Sequence, residues 1–199
     1  LNERVATVRA DDLATIVYTS GSTGNPKGAE LTHKNFVSIT ISASQALHEV
    51  VLDDHPRLLL FLPLAHCFAR FIQYASIASD DGVVGYLPDT KTLLPDLRSF
   101  EPTYLLGVPR VFEKVYNAAS QKAGAGIQGH IFAQSVKHFV KWSKDEQAGR
   151  GHSFIERMRH SFYMATVGKS IRSALGPNLK WLACGGAPLN VDLAHFFNG

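Results

Sequence analysis

Residues 18–28 read YTSGSTGNPKG, Tyr18 to Gly28, and follow directly on the apolar run Leu13–Val17. Three glycines, five hydroxyl side chains, one proline and one lysine fall within these eleven positions. A strand that ends in such a loop gathers backbone N–H groups, flexible turns and one cation at a single point, which suits a polyanion such as phosphate. Glycine permits close approach of the backbone, while Ser and Thr hydroxyls both donate and accept hydrogen bonds. A Ser/Gly linker is the rival reading. It requires neither the Pro26-Lys27-Gly28 ending nor an apolar strand in front of it. The nucleotide P-loop, GxxxxGK[ST], does not fit, because counting from Gly21 the sixth residue is Pro26 and Lys27 is followed by Gly28. A kinase or motor ATPase is thereby disfavoured.

Outward from the loop, short apolar runs recur as Ala14–Tyr18, Leu58–Leu64, Val83–Leu87, Tyr104–Val108 and Trp181–Cys184. Each is continuous instead of alternating, the pattern of strands buried on both faces of a parallel sheet. Helical periodicity fills the gaps. His33–Val51 opens on Thr32 as N-cap and carries Phe36, Ile39, Ala43 and Leu47 on one face, and Phe68–Ala78, Leu93–Phe100 and Val111–Ala123 follow the same logic. The order predicts an α/β fold, an open and mostly parallel sheet with helices on both faces. Ligands of such sheets bind outside the carboxyl ends of strands.

One stretch, 124–176, holds two helical patterns with no strand between them. The first puts Ile131, Phe132, Val136, Phe139 and Val140 on one side and Lys137, Lys141 and Lys144 on another; the second carries Ile155, Met158, Phe162 and Ala165. Gly149-Arg150-Gly151 is the turn between them. Eight Lys/Arg against three Asp/Glu between Lys137 and Arg172 give a local surplus within a net charge of only +3. So small a net charge does not argue for nucleic acid. A basic face of Lys137, Lys141, Lys144 and Arg150 would suit peripheral contact with an anionic membrane; a solvated outer helix face is the commoner use of such lysines. Hydrophobic residues make up 45% and charged residues 19%, as in ordinary globular proteins. Cys67 and Cys184 are far apart, and the nine histidines form no HExxH, so no metal site is read and a reduced, cytoplasmic setting is the simplest account.

Three further motifs stand in order along the chain. LPLAHCFAR, Leu62–Arg70, sets His66 after a strand and at a helix start, where a lone histidine is more often core or cap than catalyst. YLLGVPRVFEKVY, Tyr104–Tyr116, is a buried strand, a Pro109 turn and a helix whose Arg110, Glu113 and Lys114 read as structural. WLACGGAPL, Trp181–Leu189, runs a strand into small residues that admit a flat ring.

Together with the Tyr18–Gly28 loop, these segments resemble the adenylate-forming superfamily, and within it the long-chain fatty-acid–CoA ligases, over nearly the whole chain. The resemblance implies part of the large N-terminal, AMP-binding domain for residues 1–199, with 124–176 as a helical insertion. It implies ATP, Mg²⁺ and CoA as cofactors and a long-chain fatty acid as substrate. Thr19, Ser20, Gly21, Ser22, Thr23, Gly24 and Lys27 would hold the β- and γ-phosphates. His66 would lie beside the substrate carboxylate, with Lys27 and His66 as the catalytic pair. Gly185, Gly186, Ala187 and Pro188 would hold the adenine. Ala69 stands where many members have an acid, and Cys184 where Ser or Thr is usual. An aryl-CoA ligase, an amino-acid adenylation domain or a non-catalytic nucleotide-binding fragment are the alternatives, and the VPRVFEKVY run argues against the first two. By the same resemblance, the Glu that binds Mg²⁺, the Asp that binds ribose and the catalytic Lys of the C-terminal domain lie outside these residues. Residues 1–199 expressed alone are therefore expected to form no acyl-CoA. Product above background from the purified fragment would contradict this.

Overall fold

The computed structural model describes residues 2–19, 24–46, 55–78 and 81–199. The chain divides into two compact units, 1–88 and 89–199. The first holds α1 (Asn2–Thr7), β1 (Leu13–Thr19), β2 (Lys27–Thr32), α2 (His33–Ala46), β3 (Arg57–Leu60), α3 (Cys67–Ile77) and β4 (Val83–Tyr86).

β3 and β4 are parallel, in register from Arg57 opposite Val83 to Leu60 opposite Tyr86. A parallel pair needs a crossover, and α3 supplies it, burying Ala69 and Ile72 near the strands while Leu58–Phe61 are buried in turn. α2 starts as expected at Thr32. The Asn35 Oδ1 accepts the Thr32 backbone N–H at 2.8 Å, and the Thr32 Oγ1 accepts the Asn35 N–H at 3.4 Å. Phe36 packs its ring on Tyr74 of α3 with centroids 4.5 Å apart. Ile39, expected on the same face, is exposed. Leu47 lies outside the described residues.

β1 departs from the parallel, doubly buried strand that its apolar run predicts. It pairs antiparallel with β2, from Thr19 opposite Lys27 to Leu13 opposite Thr32, and Leu13, Ile16 and Tyr18 are exposed. The phosphate-type loop therefore joins two strands of an antiparallel ribbon, and does not lead from a sheet strand into a helix. β2 escaped the reading because KGAELT is rich in residues that strands avoid and shows no run of β-branched or aromatic side chains.

The second unit holds a short 3₁₀ turn at Thr90–Thr92, α4 (Leu93–Phe100), β5 (Tyr104–Gly107), α5 (Pro109–Ala123), α6 (Ile127–Gln147), α7 (Phe154–Tyr163), a π-helical turn at Met164–Gly168, α8 (Lys169–Leu175), β6 (Trp181–Cys184) and α9 (Val191–Asn198). β5 and β6 are again parallel, Tyr104 opposite Trp181 through Gly107 opposite Cys184, with four helices between them in sequence. Lys114 of α5 donates to the Thr90 carbonyl at 2.8 Å, the structural role expected of that cation. α6 is the spine of this unit. Phe132 and Phe139 are buried against Phe196 of α9, and Tyr116 of α5 meets both Phe132 and Phe196. Its buried Ser143 accepts from Asn198 Nδ2 at 2.9 Å and shares a hydrogen bond with His195 Nδ1, also at 2.9 Å.

α7 lies on the other side of α6 through aromatic rings. Trp142 is sandwiched between His152, with centroids 3.5 Å apart, and His160, at 4.0 Å. His138 sits 5.6 Å from His160. Buried nitrogens of His138, His152 and His160 have no hydrogen-bond partner among the described residues. Burial, then the charges of His160, Arg159 and Lys141, hold His138 below its ordinary pKa, with Glu156 opposing. Burial also depresses His160, with His152 adding and Glu146 opposing.

The folded state thus keeps two imidazoles neutral that the unfolded chain protonates near pH 6.5. Stability is present above that value and falls as pH drops through it towards the lower folded values. Glu156, drawn down to about 2 by Lys141 and Ser153, stays ionised and adds nothing to this slope. Melting temperature measured from pH 7.5 to 5.5, the span around the ordinary histidine value, should fall on acidification. In His160→Phe, which keeps a flat ring without a titrating nitrogen, it should fall less steeply. Parallel slopes for the two proteins would rule the stack out as the cause.

Candidate nucleotide and acyl site

The residues expected to hold phosphate lie at the mouth of the β1–β2 ribbon. Thr19 ends β1, Lys27 begins β2, and the two are register partners, with the Thr19 hydroxyl donating to the Lys27 carbonyl at 3.4 Å. Ser20, Gly21, Ser22 and Thr23 lie outside the described residues. Gly24 has φ +95° and nothing within 4 Å of where a Cβ would sit, so the loop re-enters β2 through an open, glycine-only conformation. Lys27 is exposed and makes no ion pair among the described residues. One turn of the ribbon further in, a Cβ on Gly28 would come 2.7 Å from Ile16 Cγ2. Glycine is therefore required there for β2 to lie flat against β1. An unpaired cation beside an open glycine turn is a donor set that fits a nucleotide phosphate.

His66, also in the first unit, is the N-cap of α3. Its Nδ1 accepts the Phe68 backbone N–H at 3.2 Å and lies 3.9 Å from Cys67 Sγ. An Nδ1 that accepts from an amide is committed to that contact, which leaves Nε2 as the ring nitrogen able to meet another group. Cap and ligand contact are thus compatible, one nitrogen each. Ala69 is buried. Arg70 Nη1 donates to Gln73 Oε1 at 3.2 Å, and Gln73 Nε2 donates to Tyr86 Oη at 2.9 Å, tying α3 to the end of β4. Sequence reasoning did not single out Gln73 or Tyr86, since neither belongs to a motif.

In the second unit, Gly185–Pro188 follow the carboxyl end of β6. The Gly185 N–H donates to the Gly107 carbonyl at 2.9 Å, which anchors the turn on β5, and Gly186 adopts φ +79°. Gly186, Ala187 and Pro188 are exposed. A small, exposed turn fixed at its root offers backbone and flat surface to a ring. Burial raises the pKa of the Cys184 thiol.

The four cations expected to form one basic face do not do so. Lys141 pairs with Asp145 and Glu156, each at 2.8 Å; Arg150 pairs with Asp145, and Lys144 with Asp192 at 2.7 Å. Their charge is used within the helical layer, and only Lys137 of the four lacks an ion pair among the described residues. No group of three or more His, Cys, Asp or Glu side chains among the described residues is arranged to hold a metal ion.

The profile of the AMP-binding enzymes matches residues 2–199. The chain is 44% identical, over all 199 of its residues and 33% of the relative, to the long-chain-fatty-acid–CoA ligase FadD15 of Mycobacterium tuberculosis. It is 31% identical over 194 residues, 94% of this chain and 28% of the relative, to long chain acyl-CoA synthetase 3 of Arabidopsis thaliana. The chain thus spans about a third of the length of these relatives. Among solved structures, the adenylation domain of a carboxylate reductase from Mycobacterium chelonae superposes with a TM-score of 0.60 at 18% identity, covering 95% of this chain and 26% of that one, a likeness of fold.

The cap predicts a stability split at His66. His66→Ala should lose about 1 kcal/mol. His66→Asn, whose Oδ1 can accept the Phe68 N–H, should recover most of it in denaturant titrations. Equal losses in both variants would show that the Nδ1 contact contributes nothing.

Proposed function

The chain belongs to the AMP-binding enzyme family, and from that premise we propose that the protein it forms part of activates a long-chain fatty acid with ATP and passes the acyl group to CoA. The observation that carries this reading is the 44% identity, without a break in coverage, to a protein named as a long-chain-fatty-acid–CoA ligase.

In the first step a fatty carboxylate oxygen attacks the α-phosphorus of ATP. The bond to the β-phosphate oxygen breaks, giving acyl-adenylate and pyrophosphate. In the second, a CoA thiolate attacks the acyl carbonyl and AMP leaves with the electron pair of the broken bond. Attack in line at phosphorus is aided chiefly by positioning and by neutralising charge on the departing pyrophosphate. Lys27 and the hydroxyl and N–H groups of the Tyr18–Gly28 loop would meet that charge. The Nε2–H of His66 would orient the attacking carboxylate, since its Nδ1 is committed to the helix. The Gly185–Pro188 turn would take the adenine. Mg²⁺ would share the phosphate charge, with ligands other than a cluster of the described residues.

The test is Lys27→Ala in the full-length protein, with Lys34→Ala as a control, an exposed lysine whose ion partner Asp11 is 4.0 Å away. Lys27→Ala should slow fatty-acid-dependent ATP–pyrophosphate exchange about 10²-fold, the scale of one lost charge-stabilising contact. Melting should change little, because exposed substitutions usually alter stability by only about 0.5 kcal/mol. An unchanged exchange rate would remove Lys27 from the site, and exchange driven by an aryl or amino acid instead would move the protein to another branch of its family.

A further inference from the structure

The ring of His66 is held by its own helix. Its Nδ1 accepts from Phe68 and lies near Cys67, and among the described residues no hydrogen bond reaches the ring from another element. The direction of Nε2 therefore follows wherever α3 is set on the sheet. The underside of α3 fixes that only loosely, because Ala69 and Ile72 are buried by apolar contact, which has no preferred direction. A directional chain begins at the same helix start. The Arg70 backbone N–H donates to the His66 carbonyl at 3.1 Å. Its guanidinium donates to Gln73 at 3.2 Å, and Gln73 donates to Tyr86 Oη at 2.9 Å. Arginine can only donate, so the Gln73 amide has one orientation in this chain, oxygen towards Arg70 and nitrogen towards Tyr86. Tyr86 ends β4 opposite Leu60, the last residue of β3, and the Leu87 N–H continues the ladder to the Leu60 carbonyl at 2.9 Å. The strand end that receives Gln73 is thus the carboxyl end of the β3–β4 pair, from which the chain departs towards His66.

We propose that Gln73 and Tyr86 are positioning residues for His66: their hydrogen bond fixes α3 along β4 and so sets the place of Nε2 beside the fatty carboxylate. The inference rests on the reading of His66 in the reaction proposed above. Neither residue touches substrate in it; both act through the helix that carries the imidazole. Hydrogen bonds weaken steeply when bent, so an amide that spans a cation and a phenol admits little sliding or rolling of the helix between them. Placement matters more here than stability. Tyr86 is 53% exposed, and a hydrogen bond so open to water adds little to folding. A displacement of about 1 Å at a group that orients substrate, by contrast, costs up to about 10²-fold in rate.

The test uses the full-length protein and fatty-acid-dependent ATP–pyrophosphate exchange. Gln73→Met keeps the length of the side chain and breaks both of its bonds. It should raise the KM for fatty acid about fivefold, the scale of one hydrogen bond, and lower the maximal rate, while the KM for ATP stays as in wild type. Tyr86→Phe, which removes only the hydroxyl, should do the same. Gln73→Glu should restore wild-type values, since a carboxylate still accepts from Arg70 and the Tyr86 hydroxyl can turn to donate to it. A merely structural role gives a different result, because loss of folded protein lowers the rate and leaves both KM values where they were. An unchanged KM for fatty acid in Gln73→Met or Tyr86→Phe overturns the proposal, and so does an equal rise in the KM for ATP. A Gln73→Glu variant as impaired as Gln73→Met overturns it too. If Gln73→Met fails to fold, Tyr86→Phe decides alone. Absence of fatty-acid-dependent exchange in the wild-type protein would instead overturn the reaction itself, and the positioning role with it.

Discussion

The Asp145 carboxylate determines where the second helix of the basic layer lies. It is nearly buried at the end of α6 and receives Lys141 from one turn earlier and Arg150 from the following turn; the backbone N–H of Arg150 also returns to the Asp145 carbonyl at 2.8 Å. A buried carboxylate without partners is costly, so the corner between α6 and α7 closes around it. Hydrogen bonds from Lys141, then Arg150, hold Asp145 below the usual carboxylate pKa. Lys141 reaches on to Glu156, and through it the capped start of α7 is tied to the same point. With the corner and the first turn of α7 both fixed, the helix cannot roll. Its aromatic and histidine side meets Trp142, and its apolar stripe is left outside.

The apolar pattern of α7 marks the helix, but the structure leaves Ile155, Met158 and Phe162 exposed. Periodicity reports that a helix has an apolar side, and it assumes that this side is the buried one. Here the ion pairs of Asp145 and Glu156 and the stacking of Trp142 between two imidazoles decide instead. None of these leaves a periodic trace. In α6 the pattern does mark the buried side, because Phe132 and Phe139 both face Phe196 of α9. The boundaries of α4 and β6, and the turn at Gly149–Gly151, were likewise legible from apolar runs bounded by glycine or proline.

The ribbon at the start of the chain shows a different limit. β1 has the composition of a core strand, yet its register partner β2 is KGAELT and buries almost nothing. A two-stranded ribbon of this kind is marginal by itself. What pattern reading could identify was the loop, because the need for glycine at Gly24 and Gly28 comes from local backbone geometry and close approach, which a sequence displays directly. What it could not identify was the strand that follows, whose place is set by pairing alone. At His66 the motif marked the residue and the helix start together, but only coordinates show that Nδ1 caps the helix and that Nε2 is the nitrogen left to act.

The charge of the 137–172 segment can now be divided by the work it does. Lys141, Lys144 and Arg150 neutralise acids, and each sits where a helix must be joined to its neighbour: α6 to α7, α6 to α9, and the turn to α6. Burial penalises a proton on His138 and on His160, and the charges of Arg159 and Lys141 add to the penalty at His138. Among the described residues Arg157 and Arg159 have no ion pair and stand on the exposed side of α7. Charge that a net count treats as one surplus therefore serves two ends. Part of it locks the helices in place, and part of it, Arg157 and Arg159, stands exposed on α7.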